Sequence, residues 1–424
     1  MSIKQTIESN LEDPEALEKL YRQSPEHFTR EFDAVFHANP SSTVLEVWQA
    51  RLQFDKPMRQ RQGTSFLHRP SEIMLIILLA LVSGTLAKLP HFFGGIDEEM
   101  FYPRNLGFFV LPALACYFMF KNTVERSTVI GLSLAIGGAA LFINAMQIDL
   151  DQSDTMVLAC IHLPFFLWTL VGIAFAGNNY RALAPRMDYL KFNGEMVIYT
   201  VLTLIGGGIL TGITLGLFNV IGLRIEDWYF KNVVVYGAVA APLVATYVAI
   251  QRLESGQRLA PTFAKIFSPL VLITLTIFLI ANGIQGKSPF TDRDFLIVFN
   301  AMLMGVLAIT VFTISERPTS ETRIVSDYIA IALVVVALVV DMIALSAIVF
   351  RLASYGLTPN RLAVLGANLL VFGNLAGILY YYAGFLRGKM DMQVVENWIT
   401  RYLPLYAVWT IFIVFVMPFL FGLA

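Results

Sequence analysis

The sequence predicts an all-α, polytopic membrane protein with about 11 transmembrane helices behind a small helical N-terminal cytosolic segment. Three observations carry that prediction. Of the 424 residues, 56% are hydrophobic and only 14% charged, against about 25% charged in an average soluble domain. Mean hydropathy is +0.65. From Ile73 onward, apolar runs of about 20 residues, the length that crosses a hydrocarbon core, alternate with short polar loops.

Two domains follow from the change in character near residue 70: 1–70, polar and helical, and 71–424, the transmembrane part. In the first, Asp13-Pro14 and Ser24-Pro25 each set a capping residue ahead of a proline suited to the first helical turn, and Thr43 with Glu46 matches a capping box. Helices are expected near 14–22, 25–37 and 44–54. Their apolar sides are Leu17, Leu20 and Tyr21, then Phe28, Phe32, Val35 and Phe36, then Leu45, Trp48 and Leu52. Such a unit packs on itself or on the membrane domain, or docks a cytosolic protein at residues 1–60. Because these residues contain no apolar h-region, no cleavable signal peptide is expected.

The expected spans are 72–89, 104–120, 127–146, 155–176, 195–221, 232–251, 266–283, 295–314, 328–350, 359–385 and 404–421. With the N-terminus inside, the inner segments hold 22 of the 30 Lys and Arg and the outer loops 8. The positive-inside rule therefore places the N-terminus in the cytoplasm and the C-terminus outside. In this topology "RLASYGLTPNR" (351–361) is an outer hairpin. Gly356 closes one helix in a left-handed conformation, Thr358 caps the next, and Pro359 takes its first position.

Asp341 is the residue with the clearest chemical signal. It lies in "VVVALVVDMIALSAIVF", about 21 Å along a helix from Asp327 and about 15 Å from Arg351. A carboxylate at that depth costs about 2.5–3.5 kcal/mol on insertion scales and faces the bundle interior or a water cavity. It suits a proton- or cation-coupled step; the plainer role is a protonated aspartate bonded to a neighbouring helix. Asn374 flanks the face on which Gly366, Gly373, Gly377 and Gly384 repeat, whereas Asn368 is set nearly opposite. Gly208, Gly212 and Gly216 make a second repeat. Both glycine patterns fit close helix packing, or a broken helix in a transport cycle.

A second candidate site lies at the outer face. Arg104 and Asn105 would open one helix, and Asn360 and Arg361 another. Were the two to adjoin, helix N-termini and guanidinium groups would suit an anionic small molecule or a lipid headgroup. The plainer role is for the arginines to snorkel or to pair with Asp97, Glu98 or Glu99. His162, two residues before Pro164, reads as an accompaniment to a proline kink. "DLDQSD" (149–154) has spaced oxygens but lacks the glycine and terminal glutamate of an EF-hand loop.

"YGLTPNR" after a long apolar helix, with "LEKLYRQSPEHF" and "YPRNLGFFVLP", resembles the uncharacterised bacterial membrane-protein family that carries the domain of unknown function 4153. The resemblance covers most of the membrane region. It implies a multi-spanning inner-membrane protein and supplies no activity.

The sequence contains no GxxxxGK[ST], HExxH or GxSxG pattern and no GxGxxG opening a helix after a strand. No catalytic residue, cofactor or metal site is expected, and a net charge of −1 does not suit nucleic acid. Cys116 and Cys160 sit in apolar runs and read as free thiols. Besides the lipid bilayer, three readings stay open. They are a secondary transporter or translocator of lipid or lipid-linked solute, a membrane sensor or assembly protein acting through its N-terminal helices, and a lipid-modifying enzyme.

Overall fold

The computed structural model describes residues 3–11, 13–23, 25–38, 42–49, 51–52, 70–146, 153–285, 293–317 and 324–422. Among them, 88% are helical and none is in a strand. The chain divides into two compact units, Met1–Pro70 with Glu254–Gln257, and the remainder.

The N-terminal unit holds α1 (Ile3–Glu8), α2 (Pro14–Gln23), α3 (Pro25–Ala38) and α4 (43–49). Asp13 caps α2, its Oδ1 accepting from the amides of Glu15 (3.1 Å) and Ala16 (3.0 Å). The cap of α4 is Ser42 rather than Thr43: Ser42 Oγ accepts from Leu45 N at 3.4 Å. The expected apolar sides meet in a core of Ile7, Leu17, Tyr21, Phe28, Phe32, Val35, Leu45, Trp48 and Leu52. Tyr21, Phe28 and Trp48 form an aromatic triangle with centroids 5.1–5.5 Å apart. The unit thus buries its own apolar faces. The sequence reading missed α1, although Ser2-Ile3-Lys4-Gln5 fits the S-x-x-Q form of a capping box.

The membrane unit begins with α5 (Pro70–Ala87) and the short α6 (Leu89–Phe92). It continues with α7 (Glu98–Asn105), α8 (Leu111–Lys121), α9 (Arg126–Ala145), α10 (Asp154–Ala176) and α11 (Leu183–Val220). Next come α12 (Glu226–Tyr229), α13 (Val235–Glu254), α14 (Ala260–Gln285) and α15 (Arg293–Ser315). The last are α16 (Val325–Tyr355), α17 (Pro359–Leu386), α18 (Met392–Ile411) and α19 (Met417–Leu420). Joined through tight or π-type turns, these give ten helical segments long and apolar enough to span a bilayer among the described residues. The eleventh expected span is α15, of which only Met302–Ser315 counts as a shorter apolar helix. Leu78, Leu134, Leu141, Ile209, Ile277 and many other large side chains lie on the outside, the surface that lipid tails solvate.

α10 is the axis of the first half. It packs on α8, α9, α11, α17 and α18, and its Leu163, Phe166 and Leu167 join Tyr117 and Phe118 of α8 and Phe192 of α11 in one core. Pro164 sits inside α10, where His162 Nδ1 bonds Leu158 O at 2.8 Å, a carbonyl other than the Cys160 oxygen four residues before Pro164. In the second half, α14 to α18 share a core that includes Leu303, Leu307, Leu333, Ala337, Val371, Leu375 and Ile399.

Lipid tails are as apolar as Leu, so close packing rather than water exclusion must hold these helices together. The α17 glycines provide it. A Cβ on Gly366 would fall 2.0 Å from the Trp409 ring, one on Gly377 2.1 Å from Trp398, and one on Gly373 2.6 Å from the Tyr402 hydroxyl. α18 seats three aromatics in the groove that those glycines open. The α11 repeat behaves otherwise: Gly208, Gly212 and Gly216 have nothing within 4 Å of a built Cβ. This contrast yields a test. Gly377→Val should push Trp398 off α17 and cost several degrees of thermal midpoint in detergent, whereas Gly212→Val should leave the midpoint unchanged. Equal effects would contradict the packing account.

Candidate functional site

α16 is a 31-residue helix, about 46 Å long, and Asp341 lies near its middle, 16 residues from Val325 and 14 from Tyr355. Its side chain is 0% exposed. Neither Oδ1 nor Oδ2 has a hydrogen-bond partner. The antiparallel neighbours carry polar groups at matching depth. Asn300 is 15 residues from the Ser315 end of α15, and Asn374 is 15 residues from the Pro359 end of α17. The three helices pack on one another, so the three side chains share a level to within about one helical turn.

Each helix turns the relevant face inward. Ala337 and Ala344, four before and three after Asp341, are buried, and such small side chains let neighbouring helices approach. Asn300 shares a face with Leu303 and Leu307, both in the core. Asn374 is 2% exposed. Its Nδ2 donates to Tyr406 Oη on α18 at 3.0 Å, and its backbone oxygen accepts from Trp398 Nε1 at 3.1 Å. Tyr406 in turn lies within electrostatic reach of Asp341.

The atoms left without partners here are all of one kind. Asp341 Oδ1 and Oδ2, Asn374 Oδ1 and Asn300 Oδ1 are buried acceptors with no donor. Buried polar atoms are nearly always paired, and an ionised carboxylate in hydrocarbon without a donor or counterion is costly. What such a level lacks is positive charge: a proton on Asp341, or a small monovalent cation taken by the carboxylate and the amide oxygens. Among the described residues there is no group of three His, Cys, Asp or Glu side chains that could hold a metal ion.

The structure brings Asp341 and Asn374 to one level, and adds Asn300 and Tyr406, which the sequence reading passed over. A lone asparagine near the middle of the expected span 295–314 was the available signal for Asn300. Tyr406 gave none, because a tyrosine in an apolar run is ordinary.

The outer anion site is arranged differently from its expectation. Arg104 and Asn105 do not open a helix. α7 starts at Glu98, capped by Asp97, whose Oδ1 accepts from Glu99 N at 2.9 Å. Pro103 lies inside α7 instead of beginning it, so the two residues close that helix. Asn105 pairs reciprocally with Asn144 of α9 at 2.9 and 3.0 Å, and Arg104 acts electrostatically on Cys160 of α10. Asn360 and Arg361 do open α17, behind Thr358 and Pro359. However, Arg361 Nη1 donates to Tyr355 O (2.8 Å) and Gly356 O (2.7 Å), and its guanidinium lies over the Tyr355 ring. It fastens the end of α16, where Gly356 takes φ 77°. Each pair serves its own neighbourhood. Of "DLDQSD", Ser153 caps α10 with Oγ accepting from Met156 N at 3.2 Å; residues 149–152 lie outside those described.

At the opposite end of the bundle a buried polar group is fully satisfied. Arg317 donates to Asp327 twice, Nε to Oδ1 at 2.7 Å and Nη2 to Oδ2 at 3.1 Å. Tyr382 Oη adds a bond to Oδ1 at 2.8 Å and Ile324 N one to Oδ2 at 2.9 Å. Four donors on one carboxylate lock the ends of α15, α16 and α17. Because Arg317 and Asp327 are buried, Arg317→Ala should strand the carboxylate and cost about 3–5 kcal/mol, read by reversible unfolding in mixed micelles. Arg361→Ala, at an exposed hairpin, should cost less than half as much; the opposite order would contradict these assignments.

No family model, curated protein or solved structure matches this chain.

Proposed function

We propose that this multi-span membrane protein is a cation-coupled secondary transporter or a translocator of lipid or lipid-linked solute, in which Asp341 takes up and returns a proton or a small monovalent cation. The observation that carries the reading is the level of four unpartnered acceptor oxygens at mid-depth, on Asp341, Asn374 and Asn300. A purely structural aspartate would hydrogen-bond a neighbouring helix, and the described residues offer Asp341 no such bond. The ligand would sit where α15, α16 and α17 meet, so binding and release act directly on how those helices pack. That is the physical requirement for coupling: the ion must interact differently with two arrangements of the helices.

The bacterial inner membrane, with the N-terminus cytoplasmic and the C-terminus outside, is part of this proposal. It rests on the distribution of Lys and Arg. A sensor or assembly role is the second reading, favoured by the N-terminal unit's core, which is made of its own side chains. Lipid chemistry has less behind it, since Asn105 is bonded to Asn144 and Arg361 to the carbonyls of Tyr355 and Gly356.

Trp398, bonded to the backbone of Asn374, is a built-in reporter. In lipid nanodiscs, tryptophan fluorescence of the wild type should change saturably with pH or with sodium. Asp341→Asn should abolish the change at an unaltered thermal midpoint, and Asn374→Ala should weaken it roughly tenfold, the worth of one lost ligand bond of about 1.4 kcal/mol. A titration identical in wild type and Asp341→Asn would remove the proposal.

A further inference from the structure

A second buried acidic site lies at the end of the bundle away from the 356–358 hairpin, on elements that the Asp341 level does not use. Glu195 of α11 is 0% exposed and Glu316, just past α15, is 6% exposed. Arg258 stands between them: its Nη2 bonds Glu316 Oε1, and its Nε is 3.8 Å from Glu195 Oε1. Glu195 Oε1 also accepts from Ala260 N, the first amide of α14, at 2.9 Å. The second oxygen of each carboxylate, Glu195 Oε2 and Glu316 Oε2, is buried with no hydrogen-bond partner.

One partly exposed guanidinium therefore faces two buried carboxylates, leaving an excess of one negative charge. Lys191 also acts on Glu316, and Arg252 and Glu195 both act on Tyr199, but Lys191 acts on Glu396 too, which has Asp188 and Arg317 beside it, and Arg317 is committed to Asp327. Two carboxylates that cannot both ionise cheaply divide one proton between them. The unpartnered Oε2 of Glu316 is the place where that proton would reside. α15 extends the polar face inward from Glu316: Thr313 Oγ1 contacts Ser268 Oγ of α14 at 2.5 Å, and Thr310, 0% exposed, has an unpartnered hydroxyl. Beyond Thr310 the same face becomes Leu307 and Leu303.

We infer that Glu195 and Glu316 form a proton-binding site, holding one exchangeable proton under the clamp of Arg258. Burial is the main cause pushing the Glu316 carboxyl up to about 7; the Glu195 charge adds to it, while Arg258 and Lys191 oppose it. The proton is thus held below neutral pH and released above it. Because Glu195 also caps α14 and Glu316 ends α15, gain and loss of the proton act on the seating of two spanning helices. This assignment does not depend on the Asp341 reading.

The test is infrared titration of the carboxyl C=O stretch on full-length protein in nanodiscs, for wild type, Glu316→Gln, Glu195→Gln, Arg258→Gln and Asp341→Asn. A protonated-carboxyl band titrating near neutral pH is expected in wild type and in Asp341→Asn, and its loss is expected in Glu316→Gln. Glu195→Gln, whose amide oxygen can still accept from Ala260 N, should move the midpoint to lower pH by removing like charge. Arg258→Gln should move it to higher pH. A band unchanged in both glutamate variants, or midpoints moving in the reverse directions, would overturn the assignment. Loss of the band in Asp341→Asn alone would assign it to the mid-membrane site instead. If Glu316→Gln fails to fold, the signs of the Glu195→Gln and Arg258→Gln shifts decide the matter.

Discussion

The absence of any donor for the Asp341 carboxylate among the described residues is the constraint around which the membrane unit makes physical sense. On the same helix another buried carboxylate is fully paired. Asp327 receives four donors, and Lys121 and Glu72 approach to 3.7 Å. Polar atoms in hydrocarbon are costly unless paired. A structure that satisfies Asp327 so thoroughly and leaves Asp341 bare, on the same helix, separates a fastening from a place kept for a ligand.

The two halves of α16 then have different duties. Its beginning is fixed to α15 and α17 by the Arg317–Asp327–Tyr382 group, and its end is fixed to α17 by Arg361 and the glycine turn. Between these anchors run the alanine-lined face around Asp341 and the glycine groove of α17, into which Trp398, Tyr402 and Trp409 fit. Packing by small residues and ring edges holds helices by shape, with few directional bonds to break when they slide. The level of Asp341, Asn300 and Asn374 lies in that middle stretch, where a gained or lost positive charge acts on shape-held contacts and not on the anchors.

Much of this was legible in the sequence, and the exceptions have physical causes. Length and hydropathy identify the spans because a bilayer sets a length and excludes charge. The hairpin at Gly356 and Thr358 was readable because caps use particular residues. Asp341 stood out because a carboxylate in the middle of an apolar run is rare and costly unless paired. Arg104 and Asn105 are misplaced by an expected span that begins at residue 104, whereas Asp97 supplies the real cap seven residues before Arg104. The equivalence of the two glycine repeats also failed. The α17 glycines meet the rings of α18, and those of α11 meet nothing within 4 Å. Periodicity states which residues share a face and is silent on what that face meets. For the same reason the joining of Glu195, Arg258 and Glu316, far apart in sequence, needed the three-dimensional structure.

The central claim is that Asp341 carries an exchangeable proton or cation inside the membrane. Its most direct test is reaction of the wild-type protein in nanodiscs with a hydrophobic carbodiimide, which modifies protonated carboxyls shielded from water, followed by peptide mass spectrometry. The account predicts modification at Asp341 that slows as pH rises or as a competing monovalent cation is added, with Asp327 unmodified throughout. Modification of Asp327 in preference to Asp341, or an Asp341 whose reactivity ignores both pH and cation, would contradict it.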